Sequence, residues 1–235
     1  MALPKVAIPK FSVILPSTEQ KISFRPFLVK EEKALLMAAQ SEDESAMIDA
    51  VKDVVSACVD ENIDASKLPF FDVEYLFLNI RAKSVGEIID LEYRHSQGMN
   101  YKGEECDAST PVKVNLEQVK VQKLDEHTSK VMLTDNMGVE LRYPTIDNFN
   151  EVAKGEDELK LLANCIKCVF DDDNVYDPDN LQDSIEFIEG LNSEQFGKLM
   201  NFFNTMPKLR HKITYKCVGC GQEDTVELEG LSDFF

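Results

Sequence analysis

The sequence contains no uninterrupted apolar run near the ~18 residues that a membrane-spanning helix needs. Its first twenty residues, MALPKVAIPKFSVILPSTEQ, carry lysines and prolines but no long apolar segment before a small-residue cleavage site. The expectation is a chain without a signal peptide, synthesised in the cytoplasm and not held in a membrane. Runs of lysine or arginine are missing too, and 25 basic residues stand against 43 acidic ones, a formal charge of −18. A field of that sign repels phosphate backbones, so the acidity is expected to serve solubility or a basic partner rather than nucleic acid. Catalytic signatures are absent: there is no Walker loop, no GxGxxG after a strand, no HExxH and no GxSxG. Of the three histidines, His127 in KLDEHTSK and His211 at a strand start read as surface residues. Carboxylates are so abundant that no acid/base pair stands out. No residue takes a catalytic role, and no small-molecule substrate is implied.

What is present suffices for a folded body. With 235 residues, 43% hydrophobic and 29% charged, the chain can bury a core in one large domain or two small ones. KFSVILPSTEQKISFRPF alternates Val13 and Leu15 before Pro16, and Ile22 and Phe24 after it, which predicts a hairpin. LVKEEKALLMAAQ predicts a helix with Leu28, Leu35, Leu36 and Ala39 on one face. A second helix follows Ser41, where Met47, Ile48, Val51, Val55 and Cys58 recur at helical spacing and make Cys58 a core residue. A third runs from near Pro69 to before Gly86, and its Phe70, Phe71, Tyr75 and Phe77 read as packing.

Strands are expected in EIIDLEYRH, PVKVNLEQVKVQ, KVMLTD and GVELRYP, the last two joined by a turn at Asp135–Gly138. Helices return in TIDNFNEVAKGEDELKLLANCIKCVF, where Leu159, Leu162, Ile166, Val169 and Phe170 mark one stripe. LQDSIEFIEGL and NSEQFGKLMNFFNTM read as shorter helices, the latter capped by Ser193. Between them DDDNVYDPD puts Tyr176 where a calcium loop requires glycine, so it reads as a solvated loop with Asp177 or Asp179 capping the next helix. Gly/Ser-rich linkers are absent. The fold class expected is α+β: a helical body with a small zinc-ribbon-like β subdomain built from two hairpins distant in sequence. The divisions expected are 1–85 (hairpin and helices), 86–143 (β region), 144–208 (helical region) and 209–235 (terminal β segment and tail).

Six cysteines in a cytoplasmic chain direct attention to metal or burial before disulfides. YKCVGCGQEDTVELEG offers Cys217 and Cys220, half of a tetrahedral site, before an alternating strand. An earlier segment runs in the same register. LEYRH parallels ITYKC, and Cys106 precedes VKVNLE by the same six residues by which Cys220 precedes VELEG. The earlier half differs by an insertion, SQGMNYKGEE in place of VG. His95 and Cys106 would then complete a structural zinc cage with Cys217 and Cys220, closed to water; the competing reading is a ribbon whose hairpins persist without metal. Gly219 and Gly221 suit the tight reversal that turns backbone N–H groups toward sulfur. Cys165 and Cys168 form a second CxxC, expected within a helix and packed in the core. A metal pair and a redox pair are its alternatives, although the strand-then-helix context of a thioredoxin motif is missing.

ISFRPFLVKEEKALLMA, LRYPTIDNF, NSEQFGKLMNFFNTMPKLRHKITYKCVGCG and the closing LEGLSDFF, in this order, resemble the baseplate hub subunit family of T4-like contractile-tailed bacteriophages. The resemblance spans about Phe11 to Phe235 and is most distinctive in RPFLVKEEK and the final cysteine knuckle. It implies a non-enzymatic structural component or assembly factor of the tail baseplate hub. Other hub proteins would be its partners, met in the host cytoplasm during assembly and in the virion tail. It also implies a paired-cysteine first knuckle, from which His95 departs. A different class of protein remains as the alternative, a zinc-ribbon nucleic-acid-binding regulator using Arg210, His211, Lys212 and Lys216. The terminal Phe234 and Phe235 either tuck against the ribbon or dock on a neighbouring subunit.

Overall fold

The computed structural model describes residues 6–41, 43–60, 63–95, 98–154 and 157–234. Strands β1 (Phe11–Ile14) and β2 (Lys21–Phe24) pair antiparallel with Val13 opposite Ile22, and their alternation buries Val13, Ile22 and Phe24 on one face. The intervening turn is held from below by Asp72, whose carboxylate accepts hydrogen bonds from the backbone N–H and hydroxyl of Ser17. Helix α1 (Val29–Gln40) begins with a reciprocal contact in which Glu31 accepts from the Leu28 N–H at 2.8 Å. Its expected apolar face divides: Leu35 packs on the core, whereas Leu36 is 58% exposed. Helix α2 (Glu44–Cys58) is capped by Asp43 and buries Val51, Val54, Val55 and Cys58.

Helix α3 (Phe70–Val85) organises the centre. Its Val73, Leu76, Phe77 and Ile80 complete a first core with β1, β2 and α2. From the same helix, Leu78 and Ala82 enter a second core with the β region. A helix apolar on two sides is a partition between layers. The second core takes most of its other side chains from β3 (Ile88–Tyr93), β4 (Thr110–Asn115), β10 (Lys208–Lys216) and β11 (Glu223–Glu229), with Leu116 and Val119 from the turn after β4. β3 pairs with β4, while β10 lies between β11 and the short β5 (Lys120–Gln122), all antiparallel. Phe234, fully buried in this core, ties the C-terminal turn to the β region; Phe235 lies outside the described residues.

A four-stranded sheet, ordered β6 (Lys130–Met132), β7 (Met137–Leu141), β8 (Ile166–Asp171) and β9 (Val175–Tyr176), builds the third core. Helices α5 (Glu158–Cys165), α6 (Leu181–Glu189) and α7 (Ser193–Thr205) pack against it, and α4 (Ile146–Ala153) leads into α5. Here the structure corrects several expectations. The helix holding Cys165 ends at that residue, and Ile166 starts β8, which places Cys168 opposite Glu140 of β7. ANCIKCVF satisfies both helical and alternating spacing; pairing with β7 and burial of Ile166 and Cys168 around exposed Lys167 decide for strand. DDDNVY closes a tight β8–β9 hairpin, with Asp171 accepting from the N–H groups of Asp173 and Asn174. Asn180 and Asn192, not the acids or Ser193, cap α6 and α7.

His127 is also buried rather than superficial. Thr205 donates its hydroxyl hydrogen to the Asn201 carbonyl at 2.8 Å, so it accepts from His127 Nδ1–H at 3.0 Å. Nε2 then accepts from the Tyr143 hydroxyl at 3.1 Å. Among the described residues no helix is long and apolar enough to cross a membrane.

Candidate metal centre

β3 and β10 each carry a tyrosine near their ends, Tyr93 and Tyr215, and each delivers a donor side chain two residues further on, His95 and Cys217. The two tyrosine rings stack with centroids 5.2 Å apart and planes 23° apart, which brings the tips of the two hairpins together. The second donor of each hairpin, Cys106 or Cys220, sits at the start of the return path. His95 Nε2 lies 3.3 Å from Cys220 Sγ, and Cys106 Sγ lies 3.7 Å from Cys217 Sγ. The first donor of each knuckle thus meets the second donor of the other, as an approximate two-fold axis would require. All four donor atoms lie within 4.8 Å of one another. Cys106 and Cys217 form the buried side, while His95 and Cys220 close the cluster toward solvent.

These spacings allow a geometric test. A tetrahedral zinc with bonds of about 2.3 Å to sulfur and about 2.0 Å to nitrogen separates two sulfurs by about 3.8 Å, and sulfur from nitrogen by about 3.5 Å. The observed 3.7 Å and 3.3 Å fall beside both values. A disulfide would demand about 2.05 Å, and all six cysteines are free thiols.

The backbone polarises the cluster. The N–H of Cys220 holds the Cys217 thiol down to about 6, aided by the N–H of Gly219, the Thr110 hydroxyl and the neighbouring Cys106. Cys106 moves upward. The Ala108 N–H favours its thiolate, but burial and the adjacent sulfurs of Cys217 and Cys220 outweigh that pull. Cys217 is thus the sulfur that the backbone most readies to bind a cation as thiolate.

Glycine is dictated at two positions of this turn. A Cβ on Gly219 would lie 2.5 Å from Ala108 Cβ and 3.0 Å from Cys106 Sγ, so a side chain there would push the knuckles apart. Gly221 has φ +72° and donates its N–H to the Cys217 carbonyl at 3.0 Å. The insertion in the first knuckle is tied back to its own ends. Gly98 N–H reaches the His95 carbonyl at 3.1 Å, and Cys106 N–H reaches the Gly98 carbonyl at 2.7 Å. Asn100, buried, accepts from the N–H groups of Lys102 and Glu104. Ser96 and Gln97 of the insertion lie outside the described residues.

The four residues read from the sequence as one site are therefore adjacent in space. Cys165 and Cys168 are elsewhere: both are buried, and burial pushes Cys165 up to about 12, the signature of an inert core thiol. Cys58 is buried beside the Arg25 guanidinium, 3.5 Å away, and is pushed up to about 11. His211 is half-buried opposite Leu228. Thr110 and Ala108, which support the Cys217 and Cys106 sulfurs, escaped the sequence reading because only their positions in the hairpin mark them.

The arrangement is that of an α+β protein whose two remote hairpins converge on one histidine and three cysteines able to hold a metal ion. The chain belongs to the family described as T4 bacteriophage base plate protein, which it matches over residues 8–235, and is a structural component of the phage tail baseplate. No curated protein and no solved structure matches it.

Proposed function

We propose that this chain is a non-enzymatic component or assembly factor of the baseplate hub. It works through contacts with other hub proteins, and one structural zinc ion held by His95, Cys106, Cys217 and Cys220 fixes its β region. The observation that carries this reading is the convergence of four donors within 4.8 Å of one another from hairpins more than a hundred residues apart, His95 and Cys220 being separated by 125 positions in the chain. Zinc bound to four protein ligands has no open position for water, so it supplies folding energy and no hydrolytic chemistry. Departure from a paired-cysteine first knuckle is no obstacle, because imidazole nitrogen and thiolate sulfur both suit zinc.

Charge distribution favours protein partners. Along β10, Arg210, Lys212 and Lys216 stand opposite Glu229, Glu227 and Glu223 of β11, and Arg210 is ion-paired at 3.0 Å. The strand that would serve a nucleic-acid regulator is thus offset by acids. The proposed life history is assembly in the host cytoplasm followed by residence in the tail baseplate. Deleting the chain from its phage tests the function: hub intermediates should fail to assemble and infectious tails should be lost. Normal tails from the deletion would end the proposal, and a salt-dependent DNA affinity would favour the regulator instead.

A further inference from the structure

Helix α7 is apolar on two faces. Leu199 and Phe202 point into the third core. Phe196, Met200 and Phe203, spaced i, i+4 and i+7, line a cleft of about 660 Å³ beside that core, on which Phe196 and Phe203 also pack. Phe70 and Phe149, with ring centroids 4.4 Å apart, form part of the same lining. Such a volume lies within the range of binding cavities and far above that of a packing defect.

The polar lining is sparse and of one sign. Glu74 of α3 is 5% exposed, and its Oε1 accepts the Leu231 N–H at 2.8 Å; among the described residues no donor meets Oε2. Glu229 and Asp157 also border the cleft, and Lys208, the sole basic residue among the described lining residues, is bound to Glu229 at 2.7 Å. Large apolar walls around a carboxylate with no ion-pair partner among the described residues, Lys208 being held by Glu229, define the complement they would accept.

We propose that this cleft seats a segment of another baseplate protein that carries large apolar side chains and one lysine or arginine, the cation meeting Glu74. The inference rests on the reading of the chain as a protein-contact component and names the chemistry of one partner. A second copy is a poor occupant, because each chain carries −18 and the cleft adds acid to acid. Burial drives the Glu74 carboxyl up to about 7, so the bare site carries a charge at a cost that an incoming cation would offset.

The test uses infected cells in which deletion phage is complemented by plasmid-borne variants. Photoreactive benzoylphenylalanine is placed at Met200 in the cleft or, as a control, at exposed Tyr176 on β9. Illumination of purified tails should link position 200 to one segment of one other baseplate protein, with a lysine or arginine among apolar residues. Position 176 should not reach that segment. Glu74→Gln should lower the yield at least about tenfold without lowering the Tm. With the photoprobe moved to exposed Asn204, which also lines the cleft, Met200→Asp, at a site 37% exposed, should do the same without disturbing a buried group. The inference is overturned by linkage only to another copy, by a linked segment lacking a cation, by a small molecule found in the cleft, or by an unchanged yield in Glu74→Gln. Tails that require the chain yet show no link from position 200 also overturn it, and leave the proposed function standing. Normal tails without the chain would instead remove that function.

Discussion

Replacing Glu74 by glutamine should stabilise the protein, by an amount that depends on pH. Burial in α3 raises the carboxyl from 4.5 to about 7; the Leu231 N–H and Lys208 act against this, and Glu229 adds to it. The folded state therefore binds the proton more tightly than the unfolded chain. The stability this contributes is fully present below pH 4.5 and is lost as pH rises through about 7. Such a shift corresponds to about 3 kcal/mol in all, most of which falls between pH 5 and pH 8. Glutamine keeps an oxygen for the Leu231 N–H and removes the charge. Urea unfolding of both proteins, followed by circular dichroism, should show their difference widening by about that amount between the two pH values. For a chain of this length that is about 5–10 °C in Tm. Parallel pH profiles would refute the reasoning, since every other titrating group is common to both proteins. Stabilisation together with lost partner linkage is what separates a binding carboxylate from a structural one.

Other consequences follow from the cluster and from His127. Gly219→Ala should cost about 1–3 kcal/mol of stability and weaken metal retention, because its methyl would meet Ala108 and the Cys106 sulfur; urea midpoints and a chelator competition measure the two effects. Chelation should speed hydrogen exchange in β3, β4, β10 and β11 while α5, α6 and α7 keep their protection. Cys220 should then alkylate readily, with Cys165 silent until global unfolding. Burial lowers the pKa of His127, with the nearby Lys123 adding to it, so its contribution to stability is present above pH 6.5 and lost as pH falls below that value. His127→Gln should flatten that acid limb in thermal melts recorded across pH 5–7.5.

Where chemistry acts over short spacings, the sequence was readable. The hairpin of β1 and β2, the helices α2 and α3, and the register shared by LEYRH and ITYKC each rest on a repeat of two or four residues or on a ligand spacing. The final knuckle was recognisable because tight turns limit which residues can place two sulfurs on one ion. Legibility failed where partners lie far along the chain. CIKCVF suits helix or strand, and only β7, about thirty residues earlier, decides between them. His127 sits among charged neighbours, so its burial against Tyr143, Phe202 and Thr205 has no local sign. The stripe Phe196, Met200 and Phe203 resembles any core face; its position along an open cleft depends on how α3, α4 and α7 meet. The caps of α6 and α7 lie within a few residues of the expected ones, the usual scatter of helix ends.

The central claim is that two remote hairpins share one ion. X-ray absorption at the zinc edge, on protein purified without added metal, tests it most directly when combined with native mass spectrometry. One zinc per chain is expected, with three sulfur neighbours at about 2.3 Å and one nitrogen at about 2.0 Å. Cys217→Ser should abolish the stoichiometric zinc. A metal-free chain of full thermal stability, or a zinc surrounded by oxygen with its occupancy indifferent to Cys217, would contradict the account.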